Sequence, residues 1–208
     1  MTSTTTTPLY RPSRGDLAAM WMFLAAGAAI AVGAVVSAVL RIIEVLPNRD
    51  VQVAAEFAGT VAEAPIGPGG APLPVILDRA TITAEALPTL SLAALVAEPV
   101  VAAATVIVVV TCLVMLGWSV TRGVVFSRRN TRLVTIAGFT GLLGYAAVPF
   151  LANMAANGAF AEVSDRTFDN VVIAVDLAPF FLLAFIAALA AMVFSIGERL
   201  QRDTEGLV

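Results

Sequence analysis

Few side chains in this 208-residue chain are equipped for chemistry. Asp176 is the one ionisable residue that falls inside a long apolar run. A charge at the centre of a membrane helix costs about 2.5–3.5 kcal/mol on insertion scales, so such a carboxylate needs a partner or water. Pro179, three residues on, leaves a carbonyl one turn back without its usual donor. Together they could make a polar or proton-sensitive position between helices, or line the path of an oligomeric transporter or channel component. If the helix starts near Phe168, Asp176 lies only about two turns in, within reach of lipid headgroups. The second candidate is the stretch from Thr121 to Arg132, which carries Arg122, Arg128, Arg129 and Arg132 and no acid. Such a cluster can contact anionic lipid, at about 1 kcal/mol per basic residue near the surface, or a cytoplasmic protein partner. Membrane topology alone also accounts for it.

The residue inventory excludes much else. There is no His and a single Cys, so His-containing zinc sites, Ser-His-Asp and Cys-His catalysis and an internal disulfide are impossible. Glu44, Asp50, Glu56 and Glu63 do not have the spacing of a calcium loop, and no phosphate-binding Gly loop or paired catalytic carboxylates occur. The expectation is a protein that is not an enzyme, with no cofactor, no metal and no direct nucleic-acid contact.

The elements that must position these residues follow from hydropathy. With 59% apolar and 13% charged residues, the chain lies far from soluble composition, where charged residues make up about 25%. Residues 1–16, rich in Thr with Arg11 and Arg14, read as a disordered cytoplasmic tail. Four apolar runs, 17–40, 99–120, 133–152 and 171–195, read as membrane helices, each about the ~20 residues that a bilayer core requires. The first run can also be read as a signal peptide cleaved after Val36-Ser37-Ala38, though at 24 residues it exceeds the usual 7–15-residue apolar region. Ala25, Ala29, Gly33 and Ser37 recur every four residues and offer a close-packing face, as do Gly138, Gly141 and Gly144 in the third run. Pro99 suits a first helical turn, and Asn130 an N-cap.

Residues 41–98 change in character. Six prolines appear, and Val51, Val53, Ala55 and Phe57 alternate with more polar residues, as do Ile82, Ala84 and Ala86 further on. That period predicts half-buried strands joined through the turn Pro65–Gly70, in a two- or three-stranded sheet leaning on the helix ends. The stretch 87–97 reads either as a short amphipathic helix or as an early start to the second span. Residues 153–170 form a polar loop and 196–208 a polar tail. The fold class expected is an all-α membrane protein, a four-helix bundle with a small extracytoplasmic β-containing segment between the first two helices.

Orientation follows from the arginines. Eight lie in segments on the side of the 121–132 loop and four on the other, which places both termini in the cytoplasm. Ten of the fifteen acids fall on the outward segments, consistent with a net charge of −3 despite the basic loop.

Two stretches carry a resemblance. Gly123-Val124-Val125-Phe126-Ser127-Arg128-Arg129-Asn130 with Leu133 resembles the G-x-x-F-S-x-x-N-x-x-L pattern of a bacterial family of small four-span membrane proteins, a domain of unknown function. Gly197-Glu198-Arg199-Leu200 through Asp203-Thr204-Glu205-Gly206-Leu207-Val208 resembles the way that family closes its last span. The resemblance implies four helices with both termini inside a bacterial inner membrane. It also implies a regulatory pairing, because members are often encoded beside a small helix-turn-helix regulator. It carries over no catalytic residue.

Overall fold

The computed structural model describes residues 13–168, 172 and 175–205. Most of the expected N-terminal tail, the loop positions 169–171, 173 and 174, and the last three residues of the expected tail, 206–208, lie outside the described residues. The order of elements is α1 (Arg14–Val45), β1 (Val51–Ala64), β2 (Leu73–Ala84), α2 (Thr89–Thr121), α3 (Arg128–Val163) and α4 (Leu177–Glu205).

All four helices are long and apolar enough to cross a membrane. Even the shortest, at 29 residues, would extend about 44 Å against a hydrocarbon core of about 30 Å. Their apolar side chains are largely uncovered by the rest of the chain: on α4, Phe181, Leu182, Phe185, Ile186, Leu189 and Met192 are all exposed, and none of its most apolar window is buried. Water does not tolerate so much apolar surface on a single protein, whereas lipid does. The chain is a mostly helical, multi-pass membrane protein that also carries a two-stranded sheet.

The helices overrun the apolar runs because hydropathy marks only the greasy part of a helix. The stretch 87–97 resolves as the early start of α2, so Pro99 lies inside that helix and not in its first turn. Its missing amide leaves the Leu95 carbonyl without the usual donor. α3 continues through Pro149 to Val163, well past residue 152. At the other end of the chain Ser13 opens α1 with a reciprocal cap: its hydroxyl accepts from the Asp16 amide (3.1 Å), and its amide donates to the Asp16 carboxylate (2.9 Å).

The chain divides into two compact units. The first takes in the described parts of Met1–Ala34, Ala104–Leu143 and Phe181–Val208. Within it, the α1 face that packs is the one bearing Met20 and Gly27. A Cβ on Gly27 would come within 3.0 Å of Val110 Cγ1, and the Met20 methyl sits over Gly117. The stripe of Ala25, Ala29, Gly33 and Ser37 therefore does not make the close contact expected of it: all four are exposed, and nothing lies within 4 Å of where a Gly33 Cβ would stand. In α3, Gly138 approaches Ala187 of α4 as a small-residue contact should, with a Cβ there only 2.9 Å from the Ala187 methyl, whereas Gly141 meets nothing.

The second unit, Val35–Ala103 with the described parts of Gly144–Phe180, is built on the hairpin. β1 and β2 pair antiparallel from Val51↔Ala84 to Glu56↔Arg79, then resume as Thr60↔Leu77 through Ala64↔Leu73 after an irregularity. Gly59, at φ 73°, supplies the left-handed residue that irregularity requires. The connecting turn contains Gly69 and Gly70, also at positive φ, as the Pro/Gly cluster predicts. The inward alternation is that read from sequence: Val51, Val53 and Ala55 are buried, and Phe57 stacks edge-on against Phe160 (5.1 Å) and Phe168 (6.2 Å). They join Val45, Ala84, Leu87, Ala94, Leu95 and the α3 face Ala155, Ala156 and Ala159 in one core. Two strands alone are marginal, and this packing against helix ends is what makes them stable. Asn48, at φ 51°, locks the corner: its side-chain amide donates to the Leu87 carbonyl (3.1 Å) and accepts from the Leu87 amide (2.8 Å).

Candidate functional site

The basic loop and the end of α4 form one built structure in the first unit. It starts with how α2 stops. Gly123 takes φ 78°, its amide donates to the Val120 carbonyl (2.9 Å), and the Val124 amide reaches back to the Ser119 carbonyl (3.1 Å). This is a Schellman termination, which favours a glycine at this position. α3 then starts at Arg128, and the residue that caps it is Ser127, whose hydroxyl accepts from the Asn130 amide (3.2 Å).

Asn130 is thus the third residue of the helix and not its cap. Fully buried, its side-chain amide donates to the carbonyls of Val124 (2.8 Å) and Val125 (2.9 Å), tying the loop to the helix it precedes. Its own Oδ1 is buried without a partner among the described residues. Leaving such an acceptor unsatisfied costs about 1–3 kcal/mol, which the two donated bonds must offset.

Phe126 packs where α4 has no side chain. Its ring lies directly over Gly197, so that any Cβ there would overlap it, and meets Phe194 edge-on at 5.7 Å. One residue further, Glu198 gathers three partners. Arg128 approaches one carboxylate oxygen at 3.4 Å, Arg202 bonds the same oxygen from one turn on, and the Thr131 hydroxyl lies 3.1 Å from the other. That hydroxyl is also 3.1 Å from the Ser127 carbonyl, so its single proton is shared between them. The Glu198 side chain is only 16% exposed, whereas Arg128 is 74% exposed, so the ion pair with Arg128 is worth no more than a surface pair, under about 1 kcal/mol.

Of the other predicted arginines, Arg122 stacks over the Trp118 ring at 5.1 Å. Arg129 and Arg132 are exposed and, with Arg199, make no ion pair among the described residues. The loop thus divides its arginines between structure and surface: Arg128 and Arg122 are engaged, and Arg129 and Arg132 project from a fixed backbone.

Asp176 belongs to the second unit and occupies a place that was not expected of it. α4 starts at Leu177, and Asp176 is its N-cap: the carboxylate accepts from the Ala178 amide (3.1 Å), and the carbonyl accepts from the Phe180 amide (3.3 Å) and the Tyr145 hydroxyl (3.4 Å). An exposed carboxylate at a helix N-terminus is in its most favourable setting, next to free amides and the positive end of the helix dipole. Of the acids in the second unit, Glu44 pairs with Arg41 (3.0 Å) and Glu56 with Arg79 (2.8 Å). Among the described residues no group of three or more acids or Cys stands close enough to hold a metal ion.

Sequence reasoning passed over Glu198 and Gly197 as site residues. The signal was present as the Glu198–Arg202 spacing of four, the helical ion-pair interval. Comparison of the chain with protein-family models, with curated proteins and with solved structures gives no match.

Proposed function

We propose that this chain is a non-enzymatic sensor, tether or regulatory partner of a bacterial inner membrane. Its helices form a four-span bundle with both termini in the cytoplasm, and it acts through the 121–132 loop and the α4 tail. The hairpin unit lies outside the cytoplasm in this reading, in agreement with the arginine distribution. The likeness of the loop and tail motifs to the four-span family supports a regulatory role. All five fixed positions of the loop motif are used in the fold: Gly123 terminates α2, Phe126 covers Gly197, Ser127 caps α3, Asn130 clamps the loop and Leu133 is buried.

The observation that carries this reading is the convergence of Arg128, Thr131 and Arg202 on Glu198. It joins two segments 67 residues apart into one surface with Arg129, Arg132 and Arg199 exposed upon it. Arginines presented from a held backbone suit a partner that bears acidic groups, because little backbone freedom is lost on binding. The test is co-purification from membranes of the wild-type chain and of a variant with Arg122, Arg128, Arg129 and Arg132 changed to Gln. Loss of a specific cytoplasmic protein from the variant is expected; identical partner sets would reject the proposal. The alternative, a transport component with Asp176 in a polar path, draws less support, since the Asp176 carboxylate is already used to start α4.

A further inference from the structure

Where the basic loop meets the end of α4 there is an open cleft of about 390 Å³. Ser127 and Arg128 at the start of α3 line one side of it, and Glu198, Gln201 and Arg202 on α4 line the other. Two guanidiniums against one carboxylate leave the cleft with a surplus positive charge, and among the described residues no other acid lines it. Both arginines approach the same Glu198 oxygen, Arg128 through Nε and Arg202 through one Nη. Their remaining nitrogens make no hydrogen bond among the described residues. The other Glu198 oxygen faces the Thr131 hydroxyl. The carboxylate is thus fully engaged: it holds two guanidiniums in one place without cancelling them.

Further donors stand at the same place. The Ser127 hydroxyl accepts from the Asn130 amide and keeps its own proton to give. The amides of Arg128 and Arg129, the first two of a 36-residue helix, have no acceptor among the described residues, and the positive end of the helix dipole lies there. Donors that come from two arginines, a hydroxyl and a helix start outnumber the two coplanar oxygens of a carboxylate, but they suit a phosphoryl group, whose oxygens do not lie in one plane. Trp118, in the last turn of α2, is exposed with Arg122 stacked over it, and the neighbouring Ser119 hydroxyl donates to the carbonyl of Val124, which lines the cleft. An exposed Trp near the end of a spanning helix marks headgroup level, where lipid phosphates lie. We propose that this cleft binds an anionic phosphoryl group, with Arg128 and Arg202 as its two clamps, Ser127 as a third donor and Glu198 positioning both guanidiniums. Two sources offer that chemistry: the headgroup of an anionic phospholipid, which the place of Trp118 favours, and inorganic phosphate. The proposal rests on the reading of loop and tail as one built surface but needs no protein partner, so the purified chain tests it apart from the co-purification experiment.

The full chain in non-ionic detergent is titrated separately with phosphatidylglycerol, phosphatidylcholine, oleate and inorganic phosphate, and the bound species are counted by native mass spectrometry. Phosphatidylglycerol is expected to bind saturably, at least about tenfold tighter than phosphatidylcholine, whose choline offsets the phosphate charge, and than oleate, a carboxylate of the same charge. Saturable binding of inorganic phosphate without phosphatidylglycerol, with the same dependence on the arginines, assigns the cleft to free phosphate. Arg128→Gln with Arg202→Gln should weaken binding at least about tenfold more than Arg129→Gln with Arg132→Gln, which removes the same charge from outside the cleft. Should the first pair fail to fold, Arg128→Lys with Arg202→Lys takes its place with the same expectation, because it keeps the charge and loses the planar fork of donors. No saturable binding of either phosphoryl probe, oleate bound as tightly as phosphatidylglycerol, or equal losses from the two Gln pairs would overturn the proposal. Preferential binding of a hexaglutamate peptide through Arg128 and Arg202 would overturn it as well and give the cleft to an acidic protein.

Discussion

Gly197→Ala is the smallest change that tests whether loop and tail are one structure. The added methyl would stand 2.6 Å from Phe126 Cγ and closer still to two other ring atoms, where ordinary contact begins near 3.4 Å. The ring must retreat by about an ångström, and α4 cannot easily yield because the clash is with its backbone position. Overpacking of this kind costs about 1–3 kcal/mol. The retreat also disrupts the edge contact with Phe194, a pair worth about 0.5–1.5 kcal/mol. Since Phe126 directly precedes the cap Ser127, displacement of the ring should loosen the α3 start. The readout is hydrogen exchange in detergent at the amides of Asn130, which donates to Ser127 Oγ, and Thr131, which donates to the Ser127 carbonyl. A local loss of 1.4–2.8 kcal/mol corresponds to about tenfold to hundredfold faster exchange there. Phe126→Ala removes the ring, so Gly197→Ala introduced on that background should add little. If the single variant leaves both amides unchanged, or if the two costs simply add, loop and tail are not coupled through this contact.

Three further outcomes follow from the geometry. Gly158→Ala should destabilise the hairpin unit by about 1–3 kcal/mol, because a Cβ there overlaps the Ser91 side chain, and Ser91→Gly should recover much of the loss in a thermal melt. Asn48→Gly keeps the left-handed backbone and loses both bonds to Leu87, for a cost of about 1–3 kcal/mol, while Asn48→Ala should cost more because Ala resists φ 51° as well. A larger loss for Asn48→Gly than for Asn48→Ala in denaturant titrations would contradict that assignment. Asp176→Ala should destabilise the start of α4 by about 0.5–2 kcal/mol, and Asp176→Asn by much less, because Asn caps nearly as well. If instead the Asn variant abolished a measured ion or proton flux, the transport reading would return.

What could be read from the sequence was set by how much contrast each feature has. The four spans stand out because nothing but lipid matches their composition, and the inward face of β1 because Val51, Val53 and Ala55 alternate against Gln52 and Ala54. The packed face of α1 is hidden: in a helix of Ala, Val and Gly, lipid-facing and neighbour-facing positions are equally apolar, so periodicity carries no signal and small-residue spacing points to the wrong stripe. Helix ends were blurred for the same reason. Asp176 followed by Pro179 does carry an N-terminal signature, but the apolar residues on both sides of Asp176, from Val171 onward, conceal it. Asn130 looked like a cap because caps and buried clamps use the same side-chain amide; only the position of Ser127 three residues before it separates the two.

The orientation of the basic loop is the point on which the functional proposal turns, and directed thiol labelling measures it. In a Cys112→Ser background, single cysteines are introduced as Arg129→Cys on the loop and Glu63→Cys on the hairpin, both at exposed positions. In intact cells a membrane-impermeant maleimide should modify the hairpin cysteine at once and the loop cysteine only after permeabilisation. Labelling of the loop cysteine in intact cells, with the hairpin cysteine protected, would contradict the proposal outright.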